Sequence, residues 1–228
     1  MTLWLALNGM LLLLAYLLGS LPTGYLAGRL LQGIDIRDRG SGSTGATNVL
    51  RTLGKGPAIV VLLVDVLKGM LAILLVRGFY GLLPVDAIAP ETVDLALWMP
   101  WVATLAGIIA LLGHSKSVWL GFTGGKSAAT GLGVLFAMGW SVGLGSMTIF
   151  VLVVFLSRIV SLGSIAAAIT APVLMVATRQ PLGFQLFAIA GGIYIIWRHQ
   201  TNIQRLFAGT EPRIGQKASE GEQEPGKA

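Results

Sequence analysis

The chain has 228 residues, of which 54% are hydrophobic and only 11% are charged, and its mean hydropathy is +0.79. These values exclude an ordinary soluble globular domain and predict an integral membrane protein. Cysteine is absent, which excludes a disulfide framework, a thiolate nucleophile and a cysteine-bound metal. The formal net charge of +6 is spread over the segments between apolar runs, a distribution that favours anionic lipid or a phosphorylated ligand as partner over nucleic acid.

The first apolar run covers residues 3–18 and resumes over 25–31, after a break that contains Gly19 and Pro22. We therefore expect an interrupted first helix. No basic segment precedes this run and no small-residue cleavage site follows it, so we interpret it as a retained span rather than a signal peptide. Four further spans are predicted from the apolar runs over 57–76, 95–112, 162–178 and 182–197.

The stretch over 128–156 is long for one helix and short for two, and glycines near its middle, Gly139 among them, favour a turn. With two short helices here, most of the 16 Lys and Arg residues lie on one side of the bilayer, and only Arg77 and Arg179 lie on the other. The positive-inside rule then predicts an all-α integral membrane bundle of seven transmembrane helices, some short or interrupted, with the N-terminus outside and the C-terminus cytoplasmic. We expect one membrane-embedded domain over 1–217 and a disordered polar tail over 218–228.

The loop after the first helix is rich in glycine and in hydroxyl groups. Small residues let backbone N–H groups converge on an anion, and an arginine supplies a two-pronged donor. We therefore predict that this loop holds a phosphate through backbone N–H groups and polar side chains. The residues concerned are Gly40, Ser41, Gly42, Thr47, Asn48 and Arg51. A flexible connector, which glycine and serine also form, is the alternative interpretation.

A second loop begins at His114 and runs into Gly124, Gly125, Lys126 and Ser127, directly before a predicted helix. Backbone donors, a lysine and the positive end of a helix would together bind a phosphate. A nucleotide P-loop is excluded because Leu120 stands where that motif needs glycine and no strand precedes it. In the purely structural alternative, Ser127 caps the helix and Lys126 only reaches the membrane interface.

Three further groups of polar residues stand at or within the spans. His199 and Asn202 are three residues apart, so a helix that continues beyond the last span would place both on one face. In the alternative interpretation, His199 has no function and is only a polar residue that caps the end of the span. Arg158 lies in another basic turn, where membrane anchoring would also explain it. Inside the second span, Asp65 and Lys68 are expected to pair with each other, the alternative being a contribution to the loop site.

Four segments, taken in order, resemble the acylphosphate:glycerol-3-phosphate acyltransferase family of bacterial inner membranes (PlsY-type). They read IDIRDRGSGSTGATN, GHSKSVWLGFTGGKSAAT, SRIVSLGS and HQTNIQRLFAGTE, and the resemblance extends to about Lys217. It implies transfer of a fatty acyl group from acyl phosphate to the 1-hydroxyl of glycerol 3-phosphate, which gives lysophosphatidic acid and phosphate. It also implies membrane lipids as surroundings and no cofactor or metal, and it is compatible with a monomer.

The resemblance assigns the catalytic roles to Ser41, Arg51, Lys126, His199 and Asn202, and a structural acid to Glu211. Together with the residue patterns, it predicts substrate-binding roles for Gly40, Gly42, Thr47, Asn48, His114, Gly124, Gly125, Ser127 and Arg158. Two positions depart from the family pattern, because Ser43 stands where the family usually has Asn and Ser127 where it usually has Gly. A serine would be strained at a backbone position that needs positive φ and comfortable as a helix cap, and we expect the cap.

Acyl phosphate is an activated mixed anhydride, so its transfer needs positioning and charge stabilisation more than a strong nucleophile. The His-x4-Asp pair of acyltransferases that use soluble donors is absent, since Trp119 follows His114 by five residues and Gln204 follows His199 by five. We therefore expect direct attack by the glycerol hydroxyl, with the departing phosphate or His199 accepting the proton. A transporter of phosphorylated small molecules and a non-catalytic scaffold are the alternatives, although the spans carry few charges beyond the one intramembrane pair.

Overall fold

The computed structural model describes residues 1–216, in which the backbone forms helices, three short 3₁₀ turns and one isolated bridge between Ser117 and Thr123. The expected all-α fold is confirmed. The tail predicted to be disordered, 218–228, lies outside the described residues, as does Lys217. The helices are α1 (Thr2–Ser20), α2 (Thr23–Gln32), α3 (Ala46–Thr52), α4 (Lys55–Leu82), α5 (Leu95–Ser115), α6 (Ala128–Met138), α7 (Trp140–Ser157), α8 (Val160–Ala177), α9 (Leu182–Arg198) and α10 (Gln200–Phe207).

Five helical segments in the described part of the chain are long and apolar enough to cross a bilayer: 2–32, α4, α5, α7 and α8. Two more, α6 and α9, are apolar but have only 11 and 17 residues. At 1.5 Å per residue, α6 extends about 16 Å, roughly half of the hydrocarbon thickness. The chain is thus a multi-pass membrane protein, while the count of seven spans stays a prediction.

The predicted interruption of the first helix is confirmed between Ser20 and Thr23. A helix break inside a membrane leaves backbone carbonyls that need partners. Lys68 Nζ donates to the Leu21 carbonyl at 2.9 Å, and Thr23 Oγ1 donates to Asp65 Oδ1 at 2.6 Å. The predicted pair is also formed, with Lys68 Nζ 2.9 Å from Asp65 Oδ1 and both side chains buried. The charged pair therefore stabilises the break.

The segment over 128–156 forms two helices, as charge distribution predicted, and the break falls at Gly139, whose backbone is extended. The short helix α6 packs closely on α4 through glycines. A Cβ added at Gly133 would lie 1.9 Å from the Val66 carbonyl oxygen, so only glycine permits this approach. Arg77 Nη2 donates to the Met138 carbonyl at 3.0 Å and thereby satisfies the end of α6.

The main hydrophobic core lies among α1 and α4 to α9, with α5 packed against α1, α4 and α9. Many of its buried side chains are alanines, such as Ala15, Ala72, Ala103 and Ala106, which permit close approach of the helices. Small residues dominate such interfaces because lipid tails compete with large apolar side chains. A second, smaller cluster around Ile36 and Val49 anchors the first loop to α4. The loops are thus held against the ends of the bundle.

Candidate functional site

A cavity of about 370 Å³ lies between α4, α6, α7, α8 and α9, beneath the first two loops. All five residues with predicted catalytic roles line it: Ser41, Arg51, Lys126, His199 and Asn202. The rest of its wall is mostly apolar and follows the helices into the bundle. The structure therefore brings three distant parts of the sequence to the polar end of one apolar cavity.

Asn48 organises the first loop. Its side chain is buried, and its Nδ2 donates to the carbonyl oxygens of Ile36, Arg39 and Ser43 at 2.8–3.0 Å. Its Oδ1 accepts the N–H of Ser41 at 2.9 Å. Because the whole amide is engaged with the loop backbone, Asn48 positions Ser41. This differs from the predicted direct contact with substrate.

The glycines of this loop are needed for its shape. Gly40 has φ +55°, and a Cβ added there would lie 2.3 Å from Asn48 Oδ1. Gly42 has φ +67°, and its N–H donates to the Arg39 carbonyl at 3.0 Å. Gly42 lines a second, smaller cavity, and Thr47 lines the larger one. Close packing and left-handed backbone thus explain two glycines that were predicted as substrate ligands.

Arg37, which the sequence analysis did not single out, joins the two loops. Its Nη1 donates to the Leu120 carbonyl at 3.3 Å and to Thr123 Oγ1 at 3.1 Å. Its other donors bind Asp35, whose pKa is lowered to about 2 mainly by the hydrogen bond from this guanidinium. The side chain also lies over the Tyr25 ring, 5.4 Å from its centroid. No motif marks this role in the sequence, since Leu120 and Thr123, its partners in the second loop, are more than 80 residues away.

In the second loop, both glycines pack against His114. A Cβ at Gly124 would lie 2.3 Å from the His114 carbonyl oxygen, and one at Gly125 would lie 2.1 Å from His114 Nε2. The N–H of Gly125 donates to the same carbonyl at 3.2 Å. That N–H is thus not directed at a phosphate, contrary to prediction. His114 itself lines the larger cavity, and Gly124 lines the smaller one.

Ser127 does not cap α6, and this expectation was wrong. The residue precedes the helix with φ 64° and ψ 8°, in the left-handed region, and its side chain makes no capping bond. Its Oγ instead donates to the Leu111 carbonyl of α5 at 2.8 Å. Serine therefore occupies a conformation that favours glycine, and a buried hydrogen bond compensates part of the strain.

Lys126 is held by a chain of polar groups. Its Nζ donates to Asn202 Oδ1, and Asn202 Nδ2 donates to Glu211 Oε1 at 2.6 Å. Glu211 also accepts from Ser161 Oγ at 2.8 Å and from Arg205 Nε at 2.7 Å. The buried carboxylate thus connects α8, α10 and the second loop, in agreement with the structural role expected for it.

Burial is the largest factor that lowers the pKa of Lys126, which falls to about 8, and the nearby Arg205 and Arg51 lower it further. Glu211 acts in the opposite direction and raises that pKa. Burial also raises the pKa of Glu211, but hydrogen bonds from Arg205, Asn202 and Ser161 outweigh it, so the net shift is downward. At neutral pH the site therefore carries a cationic lysine that can approach an anion.

His199 is neutral and has a defined tautomer. A one-residue break separates the last two helices, because α9 ends at Arg198 and α10 begins at Gln200. At this break, His199 Nδ1 lies 2.7 Å from the Ile195 carbonyl oxygen. A carbonyl only accepts, so Nδ1 carries the proton and Nε2 is left with a lone pair. Burial is the main reason that the pKa of His199 falls to about 4.

Arg198 is a candidate site residue that sequence reasoning missed. It lines the smaller cavity, about 210 Å³, together with Ser41, Ser43 and Lys126. Its Nη2 donates to the Gly125 carbonyl at 3.0 Å, while its buried Nε has no hydrogen-bond partner within residues 1–216. The only signal in the sequence is its position before His199, which positive-inside anchoring also explains.

Arg158 and the Asp65–Lys68 pair are placed differently from the central residues. Arg158 is exposed and lies outside the lining of both cavities, and its carbonyl accepts the N–H of Ile214. Its predicted contact with substrate is therefore not supported by its position. Asp65 does line the larger cavity, with its Oδ1 3.7 Å from His114 Nδ1. The charged pair is thus structural and adjoins the site as well.

The chain is similar to known proteins over nearly its whole length. The family described as "Glycerol-3-phosphate acyltransferase" matches residues 9–209. A glycerol-3-phosphate acyltransferase of Acaryochloris marina is 62% identical over 217 residues, which cover 95% of this chain and 96% of that protein. "Glycerol-3-phosphate acyltransferase 2" of Rhizobium johnstonii is 57% identical over 220 residues, which cover 96% of this chain and 100% of that protein.

Two solved structures are also similar. Both are crystal structures of PlsY, described as an integral membrane glycerol 3-phosphate acyltransferase, one in its glycerol 3-phosphate form and one in its lysophosphatidic acid form. Each is 38% identical and covers 91% of this chain. The first covers 96% of the PlsY chain with a TM-score of 0.78, and the second covers 95% with a TM-score of 0.75.

Proposed function

The chain belongs to the glycerol-3-phosphate acyltransferase family, and on that premise we propose that it transfers a fatty acyl group from acyl phosphate to the 1-hydroxyl of glycerol 3-phosphate. The products are lysophosphatidic acid and inorganic phosphate. The observation that carries this proposal is the position of Arg51 and Lys126 at the polar end of an otherwise apolar cavity. Such a site matches a donor with an anionic head and a long apolar tail.

The two substrates each bring a phosphate group, and the site offers several cations. Arg51 and Lys126 line the larger cavity, while Arg198 and Lys126 line the smaller one. Guanidinium groups bind phosphate with paired donors, and an ammonium acts as a point charge. We assign Lys126 to both phosphates because it lies where the two cavities adjoin. Ser41, which also lines both, is held in place by Asn48.

The proposed step is a direct displacement. The 1-hydroxyl oxygen of glycerol 3-phosphate forms a bond to the acyl carbon, the bond from that carbon to the phosphate oxygen breaks, and phosphate leaves with the bonding electrons. The hydroxyl proton passes to the departing phosphate. The oxygen that leaves the acyl carbon is that of a free phosphate anion and is more basic than the imidazole of His199, whose pKa is lowered to about 4, so phosphate is the better acceptor. His199 orients the hydroxyl through Nε2, and a covalent acyl intermediate on Ser41 would overturn this scheme.

The proposed orientation in the membrane rests on the distribution of Lys and Arg in the sequence. We place the protein in the bacterial inner membrane with seven spans, the N-terminus outside, and the loops that carry Ser41 and Lys126 on the cytoplasmic side. Single cysteines introduced into the naturally cysteine-free chain allow a direct test. A membrane-impermeant thiol reagent added to intact cells should label one near residue 86 and spare one at position 116.

The decisive experiment is turnover by the purified protein in detergent. With palmitoyl phosphate and glycerol 3-phosphate, it should release phosphate and form a lysolipid in equal amounts. Lys126→Ala should lose this activity, while Lys116→Ala, which removes an exposed lysine from the same loop, should retain it. Uptake of glycerol 3-phosphate into vesicles without acyl transfer would instead support the transporter alternative.

A further inference from the structure

Within residues 1–216, three side chains line both cavities of the site: Ser41, Ser43 and Lys126. The larger cavity is mostly apolar, whereas the smaller one, about 210 Å³, is lined mostly by polar residues and glycines, Arg198 among them. An acyl group in one cavity and a polar acceptor in the other can react only where the two adjoin. The residues at this junction are therefore placed to contact the reacting ends of both substrates.

Ser43 is the junction residue that takes no part in the proposed step or in the predicted catalytic set. Its backbone is nevertheless fixed by the same side chain that fixes Ser41. Asn48 Nδ2 donates to the Ser43 carbonyl at 2.8 Å, while Asn48 Oδ1 accepts the N–H of Ser41 at 2.9 Å. One buried amide thus holds both serines in place, on either side of Gly42. A side chain on an anchored backbone can select among ligands because it loses little freedom when it binds.

The hydroxyl of Ser43 has hydrogen-bonding capacity left for a ligand. The residue is half-buried, and its Oγ accepts one long hydrogen bond, from the Gly45 N–H at 3.4 Å. A serine hydroxyl has one donor and two acceptor sites. In the part of the chain that the structure describes, the Ser43 O–H donates to no protein group, so it remains for a ligand at the junction.

The acceptor, glycerol 3-phosphate, brings a phosphate and two hydroxyls. Lys126 and Arg198 are cations suited to the phosphate, and His199 Nε2 orients the 1-hydroxyl in the proposed step. The 2-hydroxyl is the group that remains, on the carbon next to the one that carries the reacting oxygen, and it therefore lies close to the junction. A hydroxyl both donates and accepts, which a serine matches and a lysine or arginine does not.

We infer that Ser43 binds the 2-hydroxyl of the acceptor and thereby determines the specificity of the site for glycerol 3-phosphate. This inference rests on the proposed function. It predicts discrimination against 3-hydroxypropyl phosphate, which has the same phosphate and the same primary hydroxyl but lacks the 2-hydroxyl. With that acceptor the Ser43 hydroxyl is left without its partner at a half-buried position, which weakens binding of the transition state.

The experiment measures kcat/KM for both acceptors, with palmitoyl phosphate as donor, in wild type and in Ser43→Ala. One neutral hydrogen bond corresponds to about a three- to tenfold change in kcat/KM. Wild type should prefer glycerol 3-phosphate by at least about this factor. Ser43→Ala should lose about three- to tenfold with glycerol 3-phosphate and less than about twofold with 3-hydroxypropyl phosphate. The two deletions, one in the protein and one in the substrate, should thus be non-additive.

Further variants separate this contact from the structure of the loop. Ser43→Thr keeps the hydroxyl and should keep the preference for glycerol 3-phosphate. Thr201→Ala removes a hydroxyl from the wall of the smaller cavity, outside the junction, and should change kcat/KM for both acceptors by the same factor. Thermal unfolding in the same detergent shows whether each variant is folded. If Ser43→Ala does not fold, Ser43→Cys, which has a similar size and only a weak donor, should show the same selective loss.

The outcomes separate this inference from the function on which it rests. If wild type transfers no acyl group from palmitoyl phosphate to either acceptor, the proposed function fails. If it uses both acceptors equally well, the function stands and the inference is wrong, because the 2-hydroxyl is not recognised. An equal loss with both acceptors in Ser43→Ala, or no loss with either, also contradicts it. A loss confined to glycerol 3-phosphate, with the preference retained in Ser43→Thr, supports it.

Discussion

Replacement of Glu211 by Gln tests whether the buried carboxylate tunes Lys126. Asn202 connects the two residues, since it accepts a hydrogen bond from Lys126 and donates one to Glu211. The negative charge of Glu211 raises the pKa of Lys126, which burial and neighbouring arginines lower to about 8. Removal of that charge should therefore lower the pKa further, and the cation required for phosphate binding should be lost at a lower pH.

The size of the effect follows from the geometry. Two hydrogen bonds and one amide group separate the ammonium from the carboxylate, a path of roughly 7 Å. With an effective dielectric constant between about 20 and 80, the interaction is roughly 0.6–2.4 kcal/mol. Since 1.36 kcal/mol corresponds to one pKa unit, Glu211→Gln should lower the pKa of Lys126 by about one unit, to roughly 7. The lost charged hydrogen bonds should also destabilise the fold by about 1.5–3 kcal/mol.

The assay is the pH dependence of kcat/KM for glycerol 3-phosphate, which reports groups of the free enzyme. Wild-type activity should be nearly constant up to about pH 7, fall to half near pH 8 and decrease about tenfold per pH unit above that, because Lys126 loses its proton as the pH passes its pKa. In Glu211→Gln, this fall should begin about one unit lower. Lys126→Arg should abolish the fall over this range, since the guanidinium keeps its charge.

A control variant removes a different carboxylate that also binds an arginine. Asp35→Asn releases Arg37 but is not connected to Lys126, so it should leave the pH of the alkaline fall unchanged. If Glu211→Gln lowers activity equally at every pH, with the fall still near 8, then Glu211 is only structural and the reasoning is refuted. Folding of each variant is checked by thermal unfolding in the same detergent.

Three further outcomes are expected. Ser127→Ala keeps the left-handed strain and loses a buried hydrogen bond, so it should destabilise the protein by about 1 kcal/mol, whereas Ser127→Gly should stay within about 0.5 kcal/mol of wild type in thermal unfolding. Gly40→Ala should reduce kcat/KM by at least about tenfold because its Cβ displaces the amide that positions the loop, while Gly33→Ala, with φ +68° and nothing within 4 Å of its Cβ, should cost only backbone strain. Asp65→Leu and Lys68→Leu should each destabilise by about 3–5 kcal/mol, and the double variant by clearly less than their sum, as a double-mutant cycle of unfolding free energies would show. A cycle with no coupling would contradict the pairing.

Backbone chemistry explains why the order of helices was predictable. Within a bilayer every backbone group needs an internal partner, so apolar runs become helices whatever their neighbours are. Breaks near Pro22 and at Gly139 were expected because proline and glycine interrupt helices, and both occur. The break at His199 has no such marker in the sequence, since neither proline nor glycine stands there.

Most residues that line the site could also be predicted from the sequence, although several of their individual roles could not. Ser41 and Lys126 stood out because they lie in glycine-rich polar loops suited to bind a phosphate, and His199 stood out through its spacing to Asn202 and the motif resemblance. Asn48 and Gly125 were read as ligands because donor groups look alike in a sequence, whether they bind a substrate or a loop. Arg37 and Arg198 were passed over because positive-inside anchoring explains a basic residue at any membrane border.

The sequence by itself determined an all-α membrane protein, its helix breaks and the family to which its four motifs point, because hydrophobic runs, glycine, proline and motif spacing are local properties. Tertiary structure alone decided which loop donors are engaged with the backbone, the left-handed backbone at Ser127 and the tautomer of His199. Each of these depends on atoms that are distant in the chain and become neighbours only when the helices pack.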